Sequence, residues 1–273
     1  MGLALYLALL VLAAPAPTPL ERARAAFPTW TVSDSGRGFL VATPGARGHA
    51  AVVDVVVGAA RACELELVRA PLADAWVAFA LPDRASFLGF VAARYPAEVR
   101  ADLVGPGTHG FADAERRWIV VDHGAGPGTL AHEVVHPLVR QDFAASGRPA
   151  PMWLDEGIAA LFEHKRYAAD GRVIGLANWR MPTLRARLDR ISVREVVSAD
   201  GLAFQGRGDL MMAAARHLVL WLHERGWLSS LYRGLRDDPA GAASVEAHVA
   251  RVTGMDLDAL DAAWKRWVRG AAR

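Results

Sequence analysis

The chain has 273 residues, 53% of them hydrophobic, which is enough to bury a sizeable core and too apolar for a disordered polymer. Its 31 basic and 29 acidic side chains nearly cancel, leaving a formal charge of +2. Phosphate binding needs a concentrated positive surface, so no nucleic-acid partner is expected. Arg172, Arg180, Arg185, Arg187, Arg190 and Arg194 form only a loose run of the kind that solvated helix faces carry.

Residues 2–14 are almost wholly apolar and give way to Ala-Pro-Ala-Pro and a charged helix start near Glu21. That pattern reads as a signal peptide over residues 1–16 and an exported, periplasmic or secreted, protein of bacterial type. About a dozen apolar residues are short for a bilayer span. The leader lacks Lys and Arg, so a retained N-terminal anchor is the alternative. No later segment has about 18 uninterrupted apolar residues, and no further membrane association is expected.

Residues 30–32 and 38–42 flank a Ser-Asp-Ser-Gly turn and predict a hairpin. The spacing predicts a helix over 48–67, a buried strand over 76–81, and a helix over 84–95. Asp83 caps that last helix, and Phe87, Phe90 and Val91 form its apolar stripe. Cys63, the single cysteine, falls in the first of these helices as a buried, inert thiol. It allows no intramolecular disulfide and no multi-cysteine metal site. A glycine-rich run over 105–110 leads into a second hairpin, in which Phe111, Ala112, Asp113 and Ala114 face residues 118–122 across a polar turn.

A glycine-rich break over 124–128 is followed by helical spacing over 129–145, 152–168, 180–189, 209–225, 227–236, 241–252 and 256–269. The expected fold class is α+β. A small mixed N-terminal sheet with helices runs to about residue 128, a helical half covers 129–273, and an active-site cleft lies between them. Nothing demands a linker, so residues 17–273 are expected to form a single domain.

At the junction stands His132-Glu133-Val134-Val135-His136, an HExxH motif. On a helix, side chains four apart project about 40° apart, so the two histidines can grip one metal ion. Glu133 lies about 100° around from His132, placed to reach a water beside the metal without ligating it. Random placement of this composition gives only about 0.01 copies of the pattern. Two histidines do not complete a catalytic zinc site, which usually has three protein ligands and a water. Glu156, in Trp153-Leu154-Asp155-Glu156-Gly157-Ile158-Ala159, is the leading third ligand, because a returning helix could carry it across to the histidines. An ordinary glutamate favoured by a helix N-terminus is the bland alternative. Asp142, ten residues after His132, is the rival ligand. On an uninterrupted helix it lies about 280° around from His132 and points away.

The pair HEVVH and WLDEGIA, with 19 residues between His136 and Glu156, resembles the gluzincin metallopeptidases, the group of aminopeptidase N and thermolysin. It is especially similar to bacterial peptidase MA-like families marked by WLxEGxA. The resemblance implies a zincin-like fold and one Zn2+ ion held by His132, His136 and Glu156. It also implies Glu133 as general base, a peptide or protein substrate, and hydrolysis of peptide bonds. Phe111, Ala112, Asp113 and Ala114 would be the edge strand that pairs with extended substrate. The likeness covers roughly residues 110–270, and the first hundred residues resemble no named family. It carries no information on oligomeric state or cleavage specificity.

One departure concerns the oxyanion. Relatives place a tyrosine where this chain has Met212. Arg216, one turn on, and His217 are the candidate substitutes, weighed against an ordinary surface arginine and a packed histidine. Loss of one such donor typically costs about 10² to 10³ in rate. A catalytically weak or inactive domain that binds zinc and a peptide or protein partner is therefore the alternative function. Asp155 is a candidate second acceptor for a ligand histidine, against a simple N-terminal-turn charge. His109 and His123 flank the hairpin and could line a cleft, although loop histidines are commonly just solvated; His164 follows Glu156 by eight residues and could belong to the helix surface. Trp221, Trp227, Trp264 and Trp267 read as core.

Overall fold

The computed structural model describes residues 16–105, 107–238 and 243–270, so the expected signal peptide falls, but for residue 16, outside the described residues. A short helix α1 (Pro19–Ala26), with a Thr18–Glu21 capping box, leads into the antiparallel pair β1 (Thr31–Asp34) and β2 (Phe39–Thr43). Helix α2 (His49–Glu66) crosses to β3 (Trp76–Leu81), which lies parallel to β2. Helices α3 (Arg84–Arg94) and α4 (Ala97–Leu103) precede the edge hairpin of β4 (Gly110–Asp113) and β5 (Trp118–Asp122). The sheet order is β1-β2-β3-β5-β4, mixed, with an antiparallel strand at each edge.

The strands alternate as half-buried sheets require, although here both faces are covered. Phe39, Val41, Ala78, Ala80, Ile119 and Val121 join the large core that includes α2 and the central helix α5 (Pro127–Ala144). On the opposite face Leu40, Ala42, Phe79, Leu81 and Val120 pack with Phe27 of the chain after α1 and Phe87, Phe90 and Val91 of α3. Phe79 sits within an aromatic cluster with Phe27, Trp30, Phe90 and Trp118. Cys63 is fully buried, and burial pushes its thiol well above the ordinary range.

Beyond α5 the chain continues as α6 (Met152–Leu161), β6 (Lys165–Tyr167), β7 (Val173–Gly175), α7 (Met181–Ala186) and α8 (Val193–Ser198). It ends with α9 (Gly201–Glu224), α10 (Leu228–Asp237), α11 (Val245–Thr253) and α12 (Leu257–Gly270). The protein is thus mixed α+β, with a small N-terminal sheet and a helical C-terminal half. One expected helix, over 152–168, is corrected: it stops at Leu161, and its remainder forms a β6–β7 hairpin. The turn holds Asp170-Gly171, with Gly171 at φ 89°, a conformation that suits glycine and a pair that favours hairpins. The helical half also begins at Pro127, two residues earlier than expected, and the expected strand residue Ala114 lies in the β4–β5 turn. Among the described residues no helix is long and apolar enough to cross a membrane.

Helix α5 runs through the core, with 12 of its residues buried, and it continues as α-helix through Pro137. Its last buried charge, Asp142, accepts from Arg236 Nη1 at 2.9 Å, Tyr232 Oη at 2.9 Å and Arg69 Nε at 3.1 Å. These contacts tie α5 to the chain beyond α2 and to α10. Burial favours the neutral acid, but Arg236, Arg69 and Tyr232 outweigh it and hold the carboxyl below its ordinary value. The unfolded chain therefore takes up this proton more readily than the folded one. The stabilisation is full above the unfolded pKa of about 3.9 and is lost as pH falls through the lowered folded value. Asp142→Asn, which removes the buried charge that Arg236 Nη1 meets and leaves Arg236 only its pair with Asp237, is expected to lower the unfolding free energy at neutral pH by about 2 kcal/mol in urea titrations. The variant should also lose less stability than wild type over that acid window; parallel acid curves would contradict the assignment.

Candidate metal centre

His132 and His136 lie on the buried length of α5, and their rings stand nearly perpendicular with centroids 4.8 Å apart. Their Nε2 atoms converge to 3.1 Å. Glu156, from α6, brings Oε2 to 3.5 Å from His132 Nε2 and Oε1 to 3.8 Å from His136 Nε2. Ligands 2.0–2.1 Å from a tetrahedral ion lie about 3.3 Å apart; the two Nε2 atoms stand near that spacing, and one Glu156 oxygen completes a trio within 4.8 Å that could hold a metal ion. They are the one group of three or more potential ligands among the described residues.

Glu156 reaches this point because α6 lies hard against both α5 and α9. A Cβ on Gly157 would stand 2.8 Å from the backbone oxygen of Ala215 in α9, so only glycine permits the approach. That contact is the physical reason for a glycine directly after the glutamate. Trp153 and Ile158 of the same segment are buried in the core.

The other ring nitrogens are held from behind. His136 Nδ1 lies 3.0 Å from Asp155 Oδ1, and Asp155 Oδ2 in turn accepts from Arg140 Nε at 2.7 Å. His132 Nδ1 lies 3.2 Å from Glu163 Oε1, an ion-pair contact rather than an aligned hydrogen bond. Glu163 Oε2 accepts from Asn178 Nδ2 at 3.0 Å and from Arg180 Nη1. Each histidine thus has a buried carboxylate behind it, and each carboxylate has an arginine. This is the arrangement that fixes tautomer and ring orientation in histidine metal sites. Asp155 was expected in that role; Glu163, Arg140, Asn178 and Arg180 were not. Glu163 follows Glu156 by seven residues, in the turn just after α6, and a spacing of about two helical turns is the signal that could have found it.

The electrostatics follow from this crowding. Burial works against a charged His132, but Glu156 and Glu163 outweigh it and raise its pKa to about 10. Burial likewise opposes the Glu156 carboxylate, yet His136 and His132 draw its pKa down to about 2. Glu133 differs. It lies outside the group of His132, His136 and Glu156, and burial raises its pKa against the pull of His132 and His136.

The centre opens into a cleft of about 650 Å³ lined by Thr108, His109, Gly110, Thr129, His132, Glu133, Trp179, Arg180 and Met212 among others. Strand β4 forms one wall, and an adjoining cavity of about 520 Å³, sharing Gly110, His132 and Glu133, is lined by Phe111, Ala112, His136, Arg140 and Glu156. Of the expected edge-strand residues, Phe111, Ala112 and Asp113 are in β4. Met212 stands in the cleft, and neither of the candidate substitutes supplies a donor beside it. Arg216 is fully buried rather than on the surface, and its Nη2 donates to Leu176 O at 2.5 Å. Burial brings its pKa down to about 10. His217 is also fully buried, pairs with Ala213 O at 2.8 Å through Nδ1, and has its pKa lowered by burial to about 4. Neither reaches the cleft. Asp142 lies in its own network with Arg69, Tyr232 and Arg236. His164 is exposed and bonded to Ala177 O, and His123 lies in the short 3-10 turn after β5. Trp221 and Trp264 are buried, with Trp227 and Trp267 packed against the same core.

Compared with known proteins, the chain matches no family model, no curated protein and no solved structure at a significant level.

Replacing either supporting carboxylate, Glu163→Gln or Asp155→Asn, should lower zinc affinity by about 10- to 100-fold in chelator competition. Unchanged affinity in both would show that the rings orient themselves. Gly157→Ala should destabilise the protein by about 1–3 kcal/mol in thermal or urea unfolding, because α6 and α9 must part; a neutral result would remove the close-approach argument.

Proposed function

We propose that this chain is an exported zinc-dependent metallopeptidase with a zincin-like fold, in which His132, His136 and Glu156 hold one Zn2+ ion and Glu133 is the general base. The observation that carries this reading is the convergence of those three donor atoms at one end of a cleft, with the unligated, buried Glu133 beside them. The zinc, when bound, would acidify a water and polarise the scissile carbonyl.

The remaining work falls to the chain's own side chains and backbone. Among the described residues strand β4 pairs only with β5, so its other edge can hold an extended peptide by main-chain hydrogen bonds. Gly110 brings that strand against Glu133: a Cβ there would stand 3.2 Å from Glu133 Cγ. Substrate held on β4 is thereby delivered to the base. Glu133, whose pKa burial raises toward the working range of a base, takes the proton of the attacking water and returns it to the leaving amine. Asp155 and Glu163 keep the histidine rings turned toward the site. The apolar leader over residues 1–16 supports export.

Met212 in the cleft favours a second reading, a domain that keeps zinc and peptide binding with little turnover. Metal analysis and peptide hydrolysis separate the two. Purified wild type should contain one zinc per chain, and Glu156→Ala should lose it. Glu133→Gln should keep the zinc while hydrolysis falls by at least about 10³-fold. Zinc without hydrolysis in wild type would establish the binding domain, and no zinc in wild type would defeat both readings.

A further inference from the structure

The loop between β7 and α7 is braced along its length. The Leu176 N–H donates to His164 O at 2.9 Å, and Leu176 O accepts from Arg216 Nη2 at 2.5 Å. Ala177 O lies 2.7 Å from His164 Nδ1, Asn178 Nδ2 donates to Glu163 Oε2 at 3.0 Å, and the Arg180 N–H donates to Asn178 Oδ1 at 3.0 Å. Arg180 Nη1 pairs with the same Glu163 oxygen. The buried Arg216 thus holds this loop from the core, and Glu163, which stands behind His132, holds it from the metal centre. Ties on both sides of Trp179 fix the backbone that carries it.

On this braced loop the indole of Trp179 is left 65% exposed. Single apolar side chains on a surface are ordinary. Among the described residues, however, Trp179 is the only large exposed hydrophobic that lines the cleft with His132 and Glu133. Contacts in series join it to the metal centre: Glu163 Oε1 lies 3.2 Å from His132 Nδ1, Glu163 Oε2 meets Arg180 Nη1, and Arg180 Cζ lies 4.9 Å from the centre of the Trp179 ring. An extended peptide advances about 3.3–3.4 Å per residue, so the ring stands within a few residues of the bond presented to the centre. The same contacts set what the ring prefers. Its electron-rich surface already serves the Arg180 cation, and a second cation would meet that charge. A neutral aromatic ring gains instead by stacking or edge contact and by leaving water. Met212, an unbranched thioether in the same cleft, offers such a ring a further soft apolar surface.

Resting on the peptidase reading above, we propose that Trp179 is a specificity-determining residue whose indole receives an aromatic side chain of the peptide substrate. The enzyme thereby selects peptides with phenylalanine, tyrosine or tryptophan near the scissile bond. Because the loop is held in place before substrate arrives, little conformational freedom is lost on binding. The gain appears as a higher kcat/KM for one class of peptide over another.

The test uses the full-length zinc-loaded protein and quenched fluorogenic peptides of one sequence, in which alanine at each position flanking the cleaved bond is replaced in turn by phenylalanine, tyrosine, tryptophan or lysine. In wild type, an aromatic residue at one such position should raise kcat/KM about 10- to 100-fold over alanine, and lysine there should not. In Trp179→Ala the aromatic-to-alanine ratio should fall to within about threefold of unity. Trp179→Phe, which keeps an aromatic ring, should retain most of it. The ratio compares two substrates of one enzyme preparation, so a loss of folded protein leaves it unchanged. A wild type that cleaves the peptides without an aromatic preference, or a preference that survives Trp179→Ala, would overturn the role of Trp179 and leave the peptidase reading standing. A wild type that cleaves none of the peptides would overturn that reading and this inference with it.

Discussion

Helix α5 carries two histidines, a glutamate and an aspartate through the centre of the fold, and buried polar groups persist only when each meets a partner. Much of the architecture around α5 answers that constraint. Asp155 and Glu163 stand behind the histidine rings, Glu156 faces their Nε2 atoms, and Arg69, Tyr232 and Arg236 enclose Asp142. In each group an arginine lies behind the carboxylate, so charge is balanced stepwise between the core and the surface.

The same contacts set the geometry of the proposed site. Glu156, Asp155 and Glu163 all belong to α6 or the turn after it, so one helix supplies a facing donor and both supports. Its placement depends on the Gly157 contact with α9. On the other side, Gly110 lets β4 approach Glu133, and His109, just before β4, lines the cleft. Two glycines thus bring the two walls close to the central helix. Side-chain volume at either would widen the site before any chemical group was changed.

Much of this was legible in the sequence. Periodicity located every strand of the main sheet and most long helices near their observed ends, because both faces of the sheet and nearly all of α5 are buried in regular patterns; α9 was expected only from 209 and begins at Gly201, across a kink at Gly208 that breaks the helical period. HExxH and Glu156 stood out as candidates for the same reason that they converge: i,i+4 spacing puts the histidines on one face, and a short connection returns α6 to them. The segment over 152–168 misled because Lys165-Arg166-Tyr167 carries no strong period of its own. Its hairpin depends on the Asp170-Gly171 turn and on pairing with β7. Glu163 was overlooked as part of that supposed helix, and Arg216 looked like a surface residue because burial of an arginine cannot be inferred from its helical position.

What the sequence by itself determined is local: which residues share a helix face, where strands alternate, and which donor types stand at metal-ligand spacing. Only the tertiary structure decided which carboxylate meets which histidine. It also decided that Arg216 and His217 turn into the core, and that His109 is tied to a buried aspartate beside the cleft. The reason is physical. A side chain's period along its own element is set by backbone geometry, whereas its partner is set by packing between elements. His132 with Glu163 and Asp142 with Arg236 lie far apart in the chain and are joined by the need to neutralise buried charge.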